Sequence, residues 1–412
     1  MRKAYIIDAK RTPVGKVRGL LSKTRADDLL IHAIQSVLKA SDASEEINKN
    51  IDDIIVGCAM PEGPQGLNIA RIATLLAGLP DSTPAYTLNR FCSSGLQSVS
   101  NAADLIKSGS ADLVIAAGVE SMSSVPMTGF KPSMNPKILS DENISIAYGM
   151  GLTAEKVVQK YKISREAQDE FAFESHQKAI LANSNGSFSN EISPITTVEN
   201  GYSTTSNEYT TRSNVVSIDE GPREDTSLEV LAKLRTVFAQ DGSVTAGNSS
   251  QMSDAAAAVL VASEEAVEKY NLTPKAEFMG FSVAGVPAEI MGIGPVKAIP
   301  KVLKSTGLSL DDIGWIELNE AFAAQSLAVI QELGLDPKKV NPLGGAIALG
   351  HPLGATGAIR IATLVSAMQR ENIDYGMVTM CIGTGMGAAG ILKNIRNWMK
   401  TTTLISYNQQ PH

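Results

Sequence analysis

Cysteine is scarce in this chain: three residues in 412, far apart, with no CxxC pair and no Cys/His cluster at zinc-ligand spacing. That excludes a disulfide framework and a structural zinc site, and it implies reduced thiols in an intracellular compartment. Strong charge of either sign is also missing. The 36 basic residues against 43 acidic give −7, too mild and too evenly spread to imply nucleic acid or an acidic membrane as partner, so a small-molecule ligand is expected. No stretch approaches the ~20 apolar residues of a membrane span. No charged and apolar leader precedes the strand-like run Ala4 to Asp8, and the last residues, Gln409 to His412, are not a peroxisomal address. These absences together indicate a cytoplasmic protein.

What is present is an ordinary globular composition, 43% hydrophobic and 19% charged, long enough for two or three domains. Short apolar runs alternate with longer helical patterns, which predicts an α/β fold. After Cys92, residues Leu96, Val99, Ala103 and Ile106 fall on one helix face, and Ala111 to Gly118 follows as a buried strand. After His351 the order returns, with Ile361, Leu364, Val365 and Met368 at helical spacing and then Tyr375 to Ile382 as a strand. Asp52 to Gly57 and Asp311 to Ile316 occupy matching places upstream, so two similar halves are expected although their letters agree little. The predicted division is an N-terminal half over 1–122, completed by about 248–271, an inserted capping domain over 123–247, a C-terminal half over 272–395 and a peripheral tail over 396–412. Within the insert, Ala154 to Tyr161 and Arg165 to Leu181 are amphipathic helices, whereas the Ser-, Thr- and Asn-rich stretch Asn183 to Ser217 is expected as polar loop.

Four places carry chemistry. Cys92 stands just before a helix start, with Ser93, Ser94 and Gly95 in the first turn, where unpaired N–H groups and the helix dipole favour a low-pKa thiolate. His351 lies in the glycine- and proline-rich run Asn341 to Gly357, a rigid setting for the general base that a cysteine nucleophile needs. Cys381 ends a strand and opens Gly383 to Gly387, whose backbone N–H groups can approach a ligand oxygen as an oxyanion hole does; both cysteines are expected in exposed, reactive settings. Asn319, in Leu318 to Phe322, looks by itself like a helix cap. The match of Gly385 to Gly390 to the dinucleotide fingerprint GxGxxG is rejected, because no helix and no acidic residue ~20 positions on follow it.

In order and wording, the runs around Cys92, Asn319, His351 and Cys381 resemble the thiolase family, and the resemblance extends from Arg2 to about Lys393. It includes Arg11 to Gly15 (RTPVG), Gly118 to Ser123 (GVESMS), Tyr148 to Glu155 (YGMGLTAE), Val244 to Asp254 (VTAGNSSQMSD) and Met291 to Pro300 (MGIGPVKAIP). The resemblance implies a thiolase fold, two βαβαβ-type halves packed as a layered α/β/α/β/α core with an inserted loop domain. It implies an acyltransferase that cleaves 3-ketoacyl-CoA with a second CoA, in fatty acid β-oxidation. Cys92 would be the nucleophile that carries the acyl thioester. His351 would be the base and an oxyanion-hole donor, Asn319 would hold an oxyanion-hole water, Cys381 would be the acid/base and Gly383 would add a backbone N–H. A second reactive cysteine separates thiolases from decarboxylating ketoacyl synthases, whose partners are histidines or histidine with asparagine.

Biosynthetic acetoacetyl-CoA thiolases carry a histidine directly before the methionine of the MGxTAE run; here the pair is Gly149 and Met150, and the runs GNSSQMSD and Pro61 to Arg71 look more like degradative enzymes. An acyl chain longer than four carbons is therefore expected, with the biosynthetic acetyl-CoA acetyltransferase as the alternative and a non-catalytic acyl-CoA-binding subunit as a distant one. Met150, Met291 and Phe322 would line the acyl or pantetheine pocket, Ser249 and Arg223 would contact CoA, and Glu120 would hold local structure. The resemblance further implies CoA as substrate with no tightly bound cofactor and no metal, a homodimer or homotetramer, and a β-oxidation multienzyme complex as a candidate partner.

Overall fold

The structure is a computed structural model that describes residues 2–41, 45–203, 205, 207–396 and 398. The first half runs β1 (Tyr5–Arg11), α1 (Ala26–Ala40), β2 (Asp53–Gly57), α2 (Ile69–Leu76), β3 (Ala85–Leu88), α3 (Ser94–Ser108) and β4 (Leu113–Ser121). An insert follows, with α4 (Met150–Tyr161), α5 (Arg165–Ser184), β5 (Ile195–Ser203) and β6 (Glu208–Val216). The chain then returns through β7 (Ser253–Ala262). The second half is β8 (Ala276–Gly285), α6 (Gly294–Thr306), β9 (Trp315–Leu318), α7 (Ala323–Leu333), α8 (Leu353–Glu371), β10 (Tyr375–Ile382) and β11 (Met386–Asn394).

The repeated element order becomes a repeated sheet topology. In the first half β2 runs parallel to β3 and β4, β4 pairs antiparallel with β7, and β7 pairs antiparallel with β1. In the second half β9 runs parallel to β10, β10 pairs antiparallel with β11, and β11 pairs antiparallel with β8. Even the place of β3 has a counterpart, an isolated parallel bridge between Ile316 and Val340. The halves join where Tyr5 and Ile6 of β1 pair with Glu277 and Ala276 of β8.

Every residue of β4 and β7 is buried, as expected for strands covered on both faces. One apolar core packs α1 and α2 on the outer face of the first half, a second surrounds α3 and α8, and a third packs α6 against β9 to β11. Helices therefore alternate with sheets, and α3 and α8 form the middle layer. They approach so closely that a Cβ on Gly95 would lie 2.7 Å from the Ala358 nitrogen, and one on Gly357 would lie 2.1 Å from the Leu96 nitrogen. Only glycine fits at that crossing.

The insert is tied down by a buried ion group. Arg11 of β1 donates from Nε to Glu191 at 2.6 Å and from both terminal nitrogens to Asp219 at 2.7 and 2.9 Å. Such a fork is the geometry in which arginine satisfies buried carboxylates. The polar stretch expected as loop instead contains the β5–β6 hairpin, paired from Ile195 and Val216 to Ser203 and Glu208. Its Thr and Val residues favour extended backbone, and two paired strands satisfy each other's backbone groups without an apolar core. Of the expected peripheral tail, Trp398 packs edge-on against Tyr5 of β1 with ring centroids 5.1 Å apart, and residues 397 and 399–412 lie outside the described residues.

Candidate active site

The turn bearing Cys92 is built by its neighbours. Phe91 has φ of +44°, a left-handed conformation costly for an aromatic residue, and side chains on both flanks hold it. Asn89 Oδ1 accepts the Phe91 N–H at 2.8 Å, while the Ser94 hydroxyl donates to the Phe91 carbonyl at 2.7 Å and accepts the Arg90 N–H at 2.8 Å. Cys92 thus sits in a single 3-10 turn, Phe91–Ser93, that runs straight into α3. It packs against Ala59, Met122 and Leu353, the last two residues beyond His351.

The turn between β10 and β11 closes over it. Gly385 has φ of +92°, and a Cβ there would lie 2.3 Å from the Val286 carbonyl, so the loop needs glycine at this position. The backbone N–H groups of Gly383 and of Cys92 itself favour the Cys92 thiolate. Strand β11 continues from this loop with no helix after it among the described residues.

His351 is 5% exposed and its ring is held from both sides. Nδ1 lies 2.6 Å from the Thr356 hydroxyl, which in turn donates to the Pro352 carbonyl at 3.1 Å. Because that hydroxyl has one hydrogen and spends it on Pro352, it accepts from Nδ1–H, and the tautomer leaves Nε2 unprotonated. Nε2 faces the Asn319 amide Nδ2 at 3.3 Å. Asn319 is fully buried and its Oδ1 has no partner among the described residues, a free acceptor of the kind that a water fills. Asn319 is not a helix cap: α7 begins four residues later, with Phe322 at the N-cap.

Burial sets the protonation states. It pulls His351 down to about 3, with the nearby Arg360 charge adding to the effect, so the imidazole is neutral at physiological pH. Burial pushes Cys92 up to about 11, opposed by the N–H groups of Gly383 and Cys92 and reinforced by the Glu120 carboxylate. This corrects the expectation of a preformed thiolate: desolvation of the sulfur outweighs the helix start. The expected exposure of Cys381 is also corrected, since it is 0% exposed, and burial followed by the nearby Cys92 raises its pKa. At rest both thiols and the imidazole are neutral.

Apolar side chains surround Cys381. Met291, Phe322, Ala154, Val244 and Ala321 form one cluster with it, and Met150 packs against them from the insert. Phe238 stacks edge-on against Phe322 with centroids 6.1 Å apart. Ser249 pairs through its backbone with Phe322, and its buried hydroxyl donates to the Thr245 carbonyl at 2.6 Å. Arg223 stands apart on the surface, 3.4 Å from Asp225, and its backbone N–H donates to His176 Nδ1 at 3.2 Å. No contact among the described residues joins Arg223 to the cysteines.

Thr356, against His351, has no signal of its own in the sequence, whereas Glu120, expected to hold local structure, does so. Thr356 is an ordinary first-turn residue until the fold brings it against the imidazole. Glu120, fully buried, accepts backbone N–H groups of Ala59 at 2.8 Å, Met60 at 3.2 Å and Gly354 at 2.8 Å, and so ties the Cys92 side to the first turn of α8. Among the described residues no group of three or more His, Cys, Asp or Glu could hold a metal ion.

Fold and centre together define a class: an acyltransferase of two similar α/β halves, with Cys381 close to Cys92, Cys92 packed against Leu353, and His351, two residues before Leu353, beside Asn319. The chain belongs to the thiolase family. It matches the thiolase N-terminal domain over residues 4–265 and the thiolase C-terminal domain over residues 272–394. It is 50% identical over 396 residues to the 3-ketoacyl-CoA thiolase of Bacillus subtilis (strain 168), covering 95% of this chain and 100% of that one. Among solved structures, human mitochondrial 3-ketoacyl-CoA thiolase in complex with CoA superimposes with a TM-score of 0.85 at 40% identity, covering 96% and 98% of the two chains. The Bacillus anthracis acetyl-CoA acetyltransferase superimposes with a TM-score of 0.86 at 38% identity, covering 96% and 99%.

Proposed function

We propose that the protein is a degradative 3-ketoacyl-CoA thiolase in which Cys92 carries the acyl group. His351 Nε2 takes the Cys92 proton, and the thiolate adds to the 3-keto carbon of the substrate. Collapse of the adduct breaks the bond between C2 and C3, leaving an acyl thioester on Cys92 and an acetyl-CoA enolate. His351 and a water on the free Asn319 Oδ1 hold the enolate oxygen, and Cys381 gives its proton to C2. In the second half the Cys381 thiolate takes the proton of an incoming CoA thiol, whose sulfur attacks the Cys92 thioester. The N–H groups of Cys92 and Gly383 hold the oxyanion, and the departing Cys92 sulfur recovers its proton from His351. The Cys92 proton returns by way of His351, the Cys381 proton stays on the acetyl group, and the CoA thiol proton replaces it.

The observation that carries this reading is a buried, neutral imidazole held by Thr356 at Nδ1 and facing the Asn319 amide at Nε2, on a loop whose Leu353, two residues on, packs against Cys92. The Met150, Met291 and Phe322 cluster supports an apolar acyl group in the pocket, and we assign Ser249 and Arg223 to CoA from motif position alone. Likeness to the acetyl-CoA acetyltransferase of Bacillus anthracis favours the biosynthetic direction as the second reading. We divide the chain as the sequence suggests, with the 123–247 insert as a cap over the site; Met150 reaching the Cys381 cluster supports that role. We further propose a homo-oligomer, dimer or tetramer, with its first contact along the free edge of β3, and CoA as substrate with no resident cofactor. The free thiols support a reducing cytoplasm, where a β-oxidation complex is a candidate partner.

Thiolysis rates across short to long 3-ketoacyl-CoA substrates test the substrate, and activity confined to acetoacetyl-CoA would overturn the degradative reading. Intact mass tests the nucleophile. Wild type is expected to trap an acyl adduct that Cys92→Ala lacks, and an adduct persisting in that variant would sink the assignment.

A further inference from the structure

Away from the cysteines, a cleft of about 470 Å³ opens where β1, the start of β8, the last turns of α8 and the loop after α5 meet. Nothing in the reaction above uses it. Three cationic side chains line it, Lys10, Lys275 and Arg370, against one carboxylate, Asp8. That carboxylate is already engaged: Lys275 Nζ lies 2.6 Å from it, and the Ala9 N–H donates to it at 2.8 Å.

The other cations are incompletely satisfied. Lys10 sits 3.9 Å from Asp8 and donates to the Asn190 carbonyl, and burial lowers its pKa although Asp8 opposes the shift. Arg370 gives Nε to Glu371 at 2.8 Å and Nη1 to the Ser187 carbonyl at 3.0 Å, leaving Nη2 without a partner among the described residues. Ser366, also in the lining, has a buried hydroxyl with no partner. The chain is shaped for this: the pairing of β1 with β7 slips between Ile6 and Asp8, and the bulge sets Asp8, Ala9 and Lys10 consecutively on the rim. Bulges recur where a strand must re-aim its side chains toward a site.

We propose that this cleft binds a small oligoanion of phosphate chemistry, with a pyrophosphate group seated among Lys10, Lys275 and Arg370 and accepting a hydrogen bond from the Ser366 hydroxyl. Glu371 engages Arg370 from outside the lining, and the lining itself holds three cations against one carboxylate, which favours a polyvalent anion over a monoanion. The orphan hydroxyl lies inside the cleft, beyond the reach of a membrane or protein surface laid across its mouth. A ligand there touches both halves and the insert at once, so its binding stabilises the whole fold by mass action.

Inorganic pyrophosphate is the probe, titrated into the full chain by calorimetry and thermal shift at fixed ionic strength, with sulfate and citrate in parallel. The expected result is saturable binding that raises Tm, weakened about tenfold by Lys10→Gln or Arg370→Gln, each of which removes one charge-assisted contact. Thiolysis by these variants should match wild type, which also shows that they fold. Unchanged pyrophosphate affinity in the double variant overturns the site, since the anion then binds elsewhere. Equal affinity for sulfate or citrate overturns the phosphate assignment.

Discussion

Thr356 is the residue on which the proposed chemistry turns without touching substrate. Its hydroxyl fixes the proton on His351 Nδ1, and a valine there would keep the shape but strand that N–H in a buried site. A lost partner of this kind costs about 1–3 kcal/mol, and here it also frees the ring to carry its proton on Nε2, where it cannot accept one from Cys92. Thr356→Val is therefore expected to lower kcat roughly tenfold to a hundredfold, with Thr356→Ser restoring most of it. Equal loss in both variants would show that packing, not the hydroxyl, is what matters. The Cys92 thiol makes a second prediction at this scale. Raised to about 11, it is protonated in the resting enzyme, so alkylation by iodoacetamide without substrate should be slow at neutral pH. The rate should climb about tenfold per pH unit toward that value, because only the thiolate reacts. A plateau already reached near pH 7 would restore the low-pKa thiolate that the helix start alone suggests. The residues proposed as reactive stand out in the sequence, Cys92, His351 and Cys381 by their glycine-rich turns and Asn319 only through the family resemblance, but their charge states do not, since burial is a property of the whole packing.

At the scale of elements, the centre depends on where α3 and α8 cross. The Cys92 turn feeds α3 and the His351 loop feeds α8, so the distance between the helices sets the distance between Cys92 and His351. A Cβ on Gly357 would meet the Leu96 nitrogen at 2.1 Å, a clash with backbone that no rotamer relieves. Gly357→Ala should destabilise the fold by about 3 kcal/mol in urea unfolding and lower kcat as well, because the helices must part. Loss of stability with full activity would mean that the centre adjusts independently of the crossing. The strand Tyr375–Ile382 follows directly from its apolar run, and α3 from the spacing of Leu96, Val99, Ala103 and Ile106. The β5–β6 hairpin does not, because its stability comes from backbone pairing that composition cannot display.

Across the whole molecule, the two halves announce themselves in the repeated order of turn, helix and strand, while their joining through β1 and β8 leaves no mark in either segment. The outer boundary is equally hidden. Among the described residues β3 ends the sheet with one edge unpaired, and beside it α2 turns Ile72, Leu75 and Leu76 outward at 36%, 41% and 61% exposure, with Tyr86 of β3 at 37%. A bare strand edge flanked by apolar side chains is a liability that a second copy removes by covering it. The same strand leads through Asn89 and Arg90 into the strained turn at Cys92, so a contact that steadies β3 also steadies that turn. Leu76→Glu, placed alone or with Ile72→Glu, should shift sedimentation toward the 43.5 kDa monomer and make specific activity fall on dilution. Saturating substrate should draw the subunits back together, since a ligand that favours the assembled state stabilises it. A variant that sediments as wild type would remove this edge from the interface. A monomer with undiminished kcat would show that the Cys92 turn is held by its own side chains, Asn89 and Ser94, without help from a neighbour.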